Sequence, residues 1–161
     1  MNADLIVRQM AQSDLTQVKQ VIDMSFPRFY RYFSFHSIQE EGQVLVAELQ
    51  GTIVGFAKLI DFKIGVKKYG CIFWIAVHPS FRRKGIAAKL TNSATQQLKQ
   101  DGTEAVFAST QRRNVAALSV LILEGFRRMG FVGLWRLFGW RIFQFYSAIW
   151  FAPNEVVLMY D

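Results

Sequence analysis

The chain has 161 residues, 52% of them hydrophobic, a single cysteine and a formal net charge of +7. That length fills one domain with an ample core and leaves little for a second. The lone Cys71 excludes an internal disulfide framework, and no Cys/His cluster stands at metal-ligand spacing, so no metal is expected. Met1 to Asp4 contains no basic segment followed by an apolar leader, which points to a cytoplasmic protein. The positive charge would attract polyanions, but no interleaved aromatic and basic motif for base readout is present, and nucleic acid is not an expected partner.

In chain order, Leu5-Ile6-Val7-Arg8 predicts a short strand, and Ser13 or Asp14 can cap a helix carrying Leu15, Val18, Val21 and Ile22 at helical spacing. Pro27 ends that helix, and residues Phe26 to Phe35 then hold six aromatic side chains among arginines and a serine. The runs 44–49 and 52–57 around Gln50-Gly51 predict a hairpin. A second turn near Gly65 to Gly70 leads into an apolar strand, Cys71 to Val77. His78 to Gly85 forms a basic turn before a helix whose stripe is Ile86, Leu90, Ala94 and Leu98, stopped by Gly102. Ala105 to Ala108 reads as a further strand, Asn114 opens another helix, and Glu155 to Tyr160 is the last strand.

The junction from Val77 to Leu90 is built for a phosphate. A helix start offers unpaired N–H groups and the positive end of the dipole, Arg82, Arg83 and Lys84 add charge, and Gly85 lets the backbone come close to an anion. The run Arg82-Arg83-Lys84-Gly85-Ile86-Ala87 has the Arg/Gln-x-x-Gly-x-Gly/Ala form and resembles the acetyl-coenzyme A pyrophosphate loop of the GNAT superfamily of N-acetyltransferases. Phe73 to Pro79 stands where that family has its cofactor-contacting strand, and Asn114, Ala117 and Leu121 followed by Gly125-Phe126 resemble its Asn-x-x-Ala helix. The resemblance extends over nearly the whole chain. It implies a single α/β domain over 1–161 with a mixed, mostly antiparallel sheet splayed at its centre and helices on both faces.

The resemblance also implies a site. Acetyl-coenzyme A is the expected co-substrate, with the Ile75 N–H toward the thioester oxygen, Val77 on the pantetheine arm, and the amides of Arg83, Lys84, Gly85, Ile86, Ala87 and Ala88, with the side chains of Arg82 to Lys84, on the pyrophosphate. Asn114 would bond further along the coenzyme. The implied reaction is acetyl transfer to a primary amine of a small molecule or peptide by direct attack in a ternary complex. Phe26 to Phe35 would wall the acceptor, with Tyr30 and His36 as candidate substrate residues, or would simply pack over the sheet edge.

The catalytic acid and base are not legible. The family's usual tyrosine position is Leu121, and positions that often carry a glutamate read Cys71 and Ser109. Three readings stay open: water relays protons with His36 or Glu41 as base, the acceptor is weakly basic enough to need none, or the chain is a silent acyl-coenzyme A-binding module.

One segment stands apart. Residues 134–152 form an aromatic-rich insertion before the last strand, with Trp135, Phe138, Trp140, Phe143, Phe145, Tyr146, Trp150 and Phe151 and only Arg136 and Arg141 charged. The segment approaches the ~20 residues of a membrane span, but each arginine would cost roughly 2.5–3.5 kcal/mol at mid-bilayer, so a spanning helix is not expected. A homodimer contact, core packing, a substrate wall and a membrane-surface element all remain open, with Arg136, Arg141, Gln144 and Ser147 on one side of a continuous helix.

Overall fold

The computed structural model describes residues 4–161. In chain order the elements are β1 (Leu5–Gln9), α1 (Leu15–Ser25), α2 (Arg28–Gln39), β2 (Gln43–Leu49), β3 (Thr52–Ile64), β4 (Lys67–Val77), α3 (Ile86–Gln100), β5 (Val106–Gln111), α4 (Val115–Leu123), β6 (Arg127–Met129), α5 (Phe131–Phe138), α6 (Ile142–Ala148) and β7 (Glu155–Tyr160). The sheet has seven strands in the order β1-β2-β3-β4-β5-β7-β6. Its β4–β5 ladder is parallel, and the recorded pairs β1–β2, β2–β3, β5–β7 and β6–β7 are antiparallel. The two-residue turn at Gly65-Val66 makes β3 and β4 antiparallel as well. The chain thus has the expected mixed, mostly antiparallel α/β architecture. It divides into two compact units, Met1–Ile60 with Trp74–Ala94, and Asp61–Phe73 with Thr95–Asp161.

In the first unit, the Gln50-Gly51 turn has positive φ at both residues, 51° and 79°, as the twist of a two-residue hairpin requires. The core gathers Val18, Val21 and Ile22 of α1, Ile38 of α2, Val44, Val46, Ile53 and Phe56 of the hairpin, and Ala76 of β4. Neither Ser13 nor Asp14 caps α1 through its side chain. Asp14 instead turns back to accept the Ala11 N–H at 2.7 Å and a two-pronged pair from Arg8 at 2.6 and 3.0 Å, while Arg8 Nε reaches Glu48 at 2.8 Å. The aromatic run after Pro27 is not an irregular segment: Phe26 is extended, and α2 starts at Arg28. Its far end is closed by Lys58, which is 1% exposed in the middle of β3 and donates Nζ hydrogen bonds to the carbonyls of Glu40 at 3.0 Å and Glu41 at 2.9 Å. Burial pushes the Lys58 ammonium below the ordinary lysine value.

In the second unit, α4 ends as its Gly-Phe sequence requires, with Gly125 N–H donating to Ile122 O and Phe126 N–H to Leu121 O, and with Phe126 and Leu121 both buried. Residues 134–152 are not one continuous helix. A break at Gly139 divides the segment into α5 and α6, so Arg136 and Arg141 do not share a helical face. One side of it is core: Leu134, Phe138, Ile142, Phe145 and Ile149 are buried. Phe138 and Phe145 stack at 4.7 Å between centroids and meet Phe107 of β5 at 5.9 and 4.7 Å, and Tyr69 of β4 joins at 5.2 Å from Phe138. The short strand β6, not predicted, pairs with β7 just before α5. Among the described residues no helix is long and apolar enough to cross a membrane.

The Arg8–Asp14 pair yields a pH-dependent prediction. Hydrogen bonds from Arg8, which outweigh burial, hold the Asp14 carboxyl below its ordinary range. Its stabilisation is therefore complete above the ordinary aspartate value near 4 and is lost as pH falls through the lower folded value. Asp14→Ala should cost about 2 kcal/mol in urea unfolding at pH 7, and the gap to the unsubstituted protein should narrow steadily below about pH 4.

Candidate functional site

The site begins with a change of phase in β4. At one end of the strand the Gly70 N–H donates to Ala105 O, one residue before β5; at the other the His78 N–H donates to Val54 O of β3. Residues 70 and 78 would face the same edge of an uninterrupted two-residue repeat, so β4 contains one extra residue, a β-bulge. The register pairs Gly70↔Val106, Cys71↔Phe107 and Ile72↔Ala108 are regular. Beyond them, Trp74 and Ala76 share the first core while Val77 lies on the side of Gly55 and Leu90. The extra residue therefore falls between Ile72 and Trp74. After it, the N–H groups of Ile75 and Val77 point away from β3. The Val77 carbonyl does so too, and it accepts Arg82 Nε at 3.0 Å and Ser25 Oγ at 3.4 Å.

The strand then runs into a tight basic loop. His78 caps a single turn over Pro79–Phe81, its Nδ1 accepting the Ser80 N–H at 3.2 Å. Arg83 and Gly85 take positive φ, 63° and 75°, and α3 starts immediately afterwards. The Gly85 carbonyl accepts the first helical bond, from Lys89 N–H at 3.1 Å, so the amides of Ile86, Ala87 and Ala88 sit in the first turn without an intrahelical acceptor. A Cβ at Gly85 would meet nothing within 4 Å, so the space beside this glycine is open. Arg82, Arg83, Lys84 and Gly85 are exposed, and Ile86 is buried beneath them. Lys84 Nζ hovers 5.4 Å from the Phe81 ring centroid, and Lys89 Nζ donates to the Leu5 carbonyl of β1, which ties α3 to the first strand.

The other candidates fall in distinct places. Tyr30 lies edge-on to Trp74, 6.1 Å between centroids, and Phe26 meets the same indole at 5.4 Å. These rings therefore cover β4 next to Ile75. His36 is not with them: it is exposed near the end of α2, pairs with Glu40 at 3.1 Å and stacks on Tyr32. Glu41 is also exposed, with its carbonyl held by Lys58. Asn114, in the second unit, caps α4 by accepting the Ala117 N–H at 3.2 Å. Leu121 is buried. Cys71 is fully buried, and its thiol is pushed up by desolvation and by the nearby Glu155 carboxylate, which makes it an inert core group. Trp74 and Ser25 escaped the sequence reading; Trp74 was concealed because its direction depends on the bulge, which no residue type announces. Among the described residues no group of three or more His, Cys, Asp and Glu could hold a metal ion.

A strand that runs into a positive-φ, cationic loop at a helix start is an arrangement of charge and free amides suited to a phosphate-bearing ligand. Residues 8–131 match the family described as Acetyltransferase (GNAT) family, and the chain belongs to that family. It is an acyl-coenzyme A-dependent N-acetyltransferase. An N-alpha-acetyltransferase from Sulfurisphaera tokodaii is 27% identical over 135 residues, covering 76% of this chain and 80% of that one. Two solved structures share the fold. The ribosomal-protein-S18-alanine N-acetyltransferase from Escherichia coli has a TM-score of 0.70 at 15% identity, over 97% of this chain and 92% of that one. The PaiA N-acetyltransferase from Thermoplasma acidophilum, in complex with coenzyme A, has a TM-score of 0.68 at 14% identity, over 97% and 98%.

The burial of Cys71 gives a direct test. In the folded protein it should react with an aromatic disulfide reagent at least ~100-fold more slowly than free cysteine at pH 8, and at the ordinary rate once unfolded in denaturant. Cys71→Ala should leave acetyl transfer within about twofold, because a thiol held protonated contributes neither base nor nucleophile.

Proposed function

We propose that this chain transfers an acetyl group from acetyl-coenzyme A to the α-amine of a peptide by direct attack in a ternary complex. What supports the reading is the first turn of α3, whose amides have no intrahelical acceptor, behind an exposed cationic loop with positive φ at Arg83 and Gly85. Bound acetyl-coenzyme A supplies a thioester carbonyl as electrophile. In this reading Ile75 N–H donates to the oxygen that gains negative charge as the amine nitrogen bonds to carbon and the carbon–sulfur bond breaks. Val77 N–H holds the pantetheine arm, and the amides from Arg83 to Ala88, with the side chains of Arg83 and Lys84, take the pyrophosphate. Arg82 braces the end of β4 through the Val77 carbonyl, with its terminal nitrogens left to face the phosphates.

No covalent enzyme intermediate is needed, and the only cysteine is an inert one. The choice of acceptor follows from the missing base. An α-amine titrates near 7.7–8.0, so roughly a quarter of it is neutral at pH 7.4, whereas for a lysine side chain the neutral fraction is about one in a thousand. A site without a strong base therefore favours the peptide end by a factor of hundreds. The related protein's description as an N-alpha-acetyltransferase supports the same choice. Phe26, Tyr30 and Trp74 offer the acceptor an aromatic wall.

Thermal unfolding separates cofactor binding from turnover. Acetyl-coenzyme A at about 100 times its dissociation constant should stabilise the native state by roughly 2.7 kcal/mol, a rise of about 5–10 °C for a chain of this size. Gly85→Glu should abolish the rise, by placing a carboxylate where the phosphates bind. Thiol release should then appear with a peptide bearing a free α-amine, increase with pH up to about 8, and vanish when that amine is blocked even if a lysine is present. A thermal rise without turnover on any peptide would overturn the choice of a peptide α-amine as acceptor, and no rise would overturn the assignment of the cofactor to this loop.

A further inference from the structure

Of the three cations in the basic loop, Arg82 is the one whose guanidinium is tied to the backbone. It follows the single turn over Pro79–Phe81 in an extended conformation, φ −69° and ψ 161°, and the chain then reverses into the positive φ of Arg83. From there its Nε donates to the Val77 carbonyl at 3.0 Å, five residues back. The bond is made by the nitrogen nearest the chain and not by the tip of the guanidinium. It closes the His78–Phe81 segment into a ring between the end of β4 and the start of the loop.

The same oxygen has a second visitor. Ser25 Oγ, on the last residue of α1, approaches it at 3.4 Å, one residue before Phe26, whose ring meets Trp74 of β4 at 5.4 Å. Val77 is buried, so protein donors take the place of water at its carbonyl. Strand end, basic loop and the end of α1 thus converge on one acceptor, and Arg82 makes the shorter, charge-assisted bond to it.

An arginine can serve in two ways, as a cation or as a planar N–H donor, and covalent geometry separates them. The amide nitrogen of glutamine stands as many bonds from Cα as arginine Nε does, so glutamine can make the same bond to Val77 without a charge. Lysine keeps the charge but carries a methylene at that point. We propose that Arg82 is a positioning residue: its Nε–H bond to the Val77 carbonyl sets the end of β4 against the basic loop, while Arg83 and Lys84 supply cations that do not depend on it. The assignment rests on the reading of this strand and loop as the acetyl-coenzyme A site, because a shift of the strand end would reach the pantetheine arm and the thioester before it reached the phosphates.

The test compares Arg82→Lys with Arg82→Gln in titrations with acetyl-coenzyme A and with ADP, which bears a pyrophosphate and no pantetheine arm, and in turnover of a peptide with a free α-amine. Arg82→Lys should bind ADP within about twofold of the parent. It should bind acetyl-coenzyme A at least ~5-fold more weakly and lose ~10–100-fold in kcat, as misalignment of reactants does. Arg82→Gln should weaken both ligands by the same factor, up to about fivefold and less at high salt, as loss of one exposed charge does, and should keep kcat within about threefold, the pattern of lost uniform binding. Retained ADP binding identifies both variants as folded. The proposal falls if Arg82→Lys matches the parent in acetyl-coenzyme A affinity and in kcat, or if Arg82→Gln loses kcat as far as Arg82→Lys does, since charge and not alignment would then be the contribution of this residue. Where the parent binds the coenzyme without turning over a peptide, the affinity split between the two ligands decides the assignment alone; a parent that does not bind acetyl-coenzyme A overturns the cofactor reading and this assignment with it.

Discussion

The proposed site depends on a change of phase within β4. Before it, at Gly70, the strand's amides are committed to the backbone just ahead of β5; after it, at His78, they are committed to β3. A regular strand could not make both bonds from these two positions. The bulge thus reassigns the Ile75 and Val77 amides from the sheet to the outside, and the cost of two missing ladder bonds is acceptable only where something else can accept them. It also turns Trp74 into the first core, against Phe26 and Tyr30. The proposed direction of these amides and the packing of Trp74 on Phe26 and Tyr30 follow from one change of phase.

What holds that phase at its far end is side-chain chemistry on the Val77 carbonyl. Arg82 reaches back five residues to the Val77 carbonyl, and Ser25 approaches the same oxygen from α1, so the turned-out carbonyl is satisfied without recruiting the strand's amides. Lys58 does comparable work at the other end of α2: its ammonium replaces the acceptors' lost solvent contacts at Glu40 and Glu41 and fixes where the helix ends. A lysine this deeply buried is held by hydrogen bonding to carbonyls, which partly offsets the desolvation of its charge.

The periodic parts of the chain were legible because each rests on a local rule. The stripe of Ile86, Leu90, Ala94 and Leu98 is buried as spaced, the Gln50-Gly51 hairpin closes where expected, and Asn114 caps its helix. The basic loop was legible for the same reason, since helix start, glycine and cations are neighbours in sequence. The rest depends on contacts between distant residues. Lys58 looks like an outward residue of an alternating strand, and only the carbonyls of Glu40 and Glu41, some 17 residues away, make it a core residue. The helix α2 was obscured by its own aromatics, whose low helix propensity is overridden by packing on α1 and Trp74. In 134–152 composition announced an outlier, but Gly139 decided its shape: its positive φ of 54° divides the segment and sends Phe138 and Phe145 inward while Trp140 and Phe143 face out.

The absence of an evident acid or base from the proposed site has a simple energetic reading. In the proposed reaction both proton-transfer partners titrate close to neutrality: an α-amine near 8, and a leaving thiol close to the ordinary thiol value near 8.5. The amine is partly free of its proton before it binds, and the thiolate is a stable leaving species near neutral pH, so a side chain that moved either proton would lower the barrier only modestly. The larger demand is the charge that develops on the carbonyl oxygen and the alignment of two reactants, and in the proposed site backbone amides of β4 would meet both. A lysine or polyamine acceptor would change that balance, because its first proton must be removed against some three pH units, and the site would then need the carboxylate that Cys71, Ser109 and Leu121 do not supply.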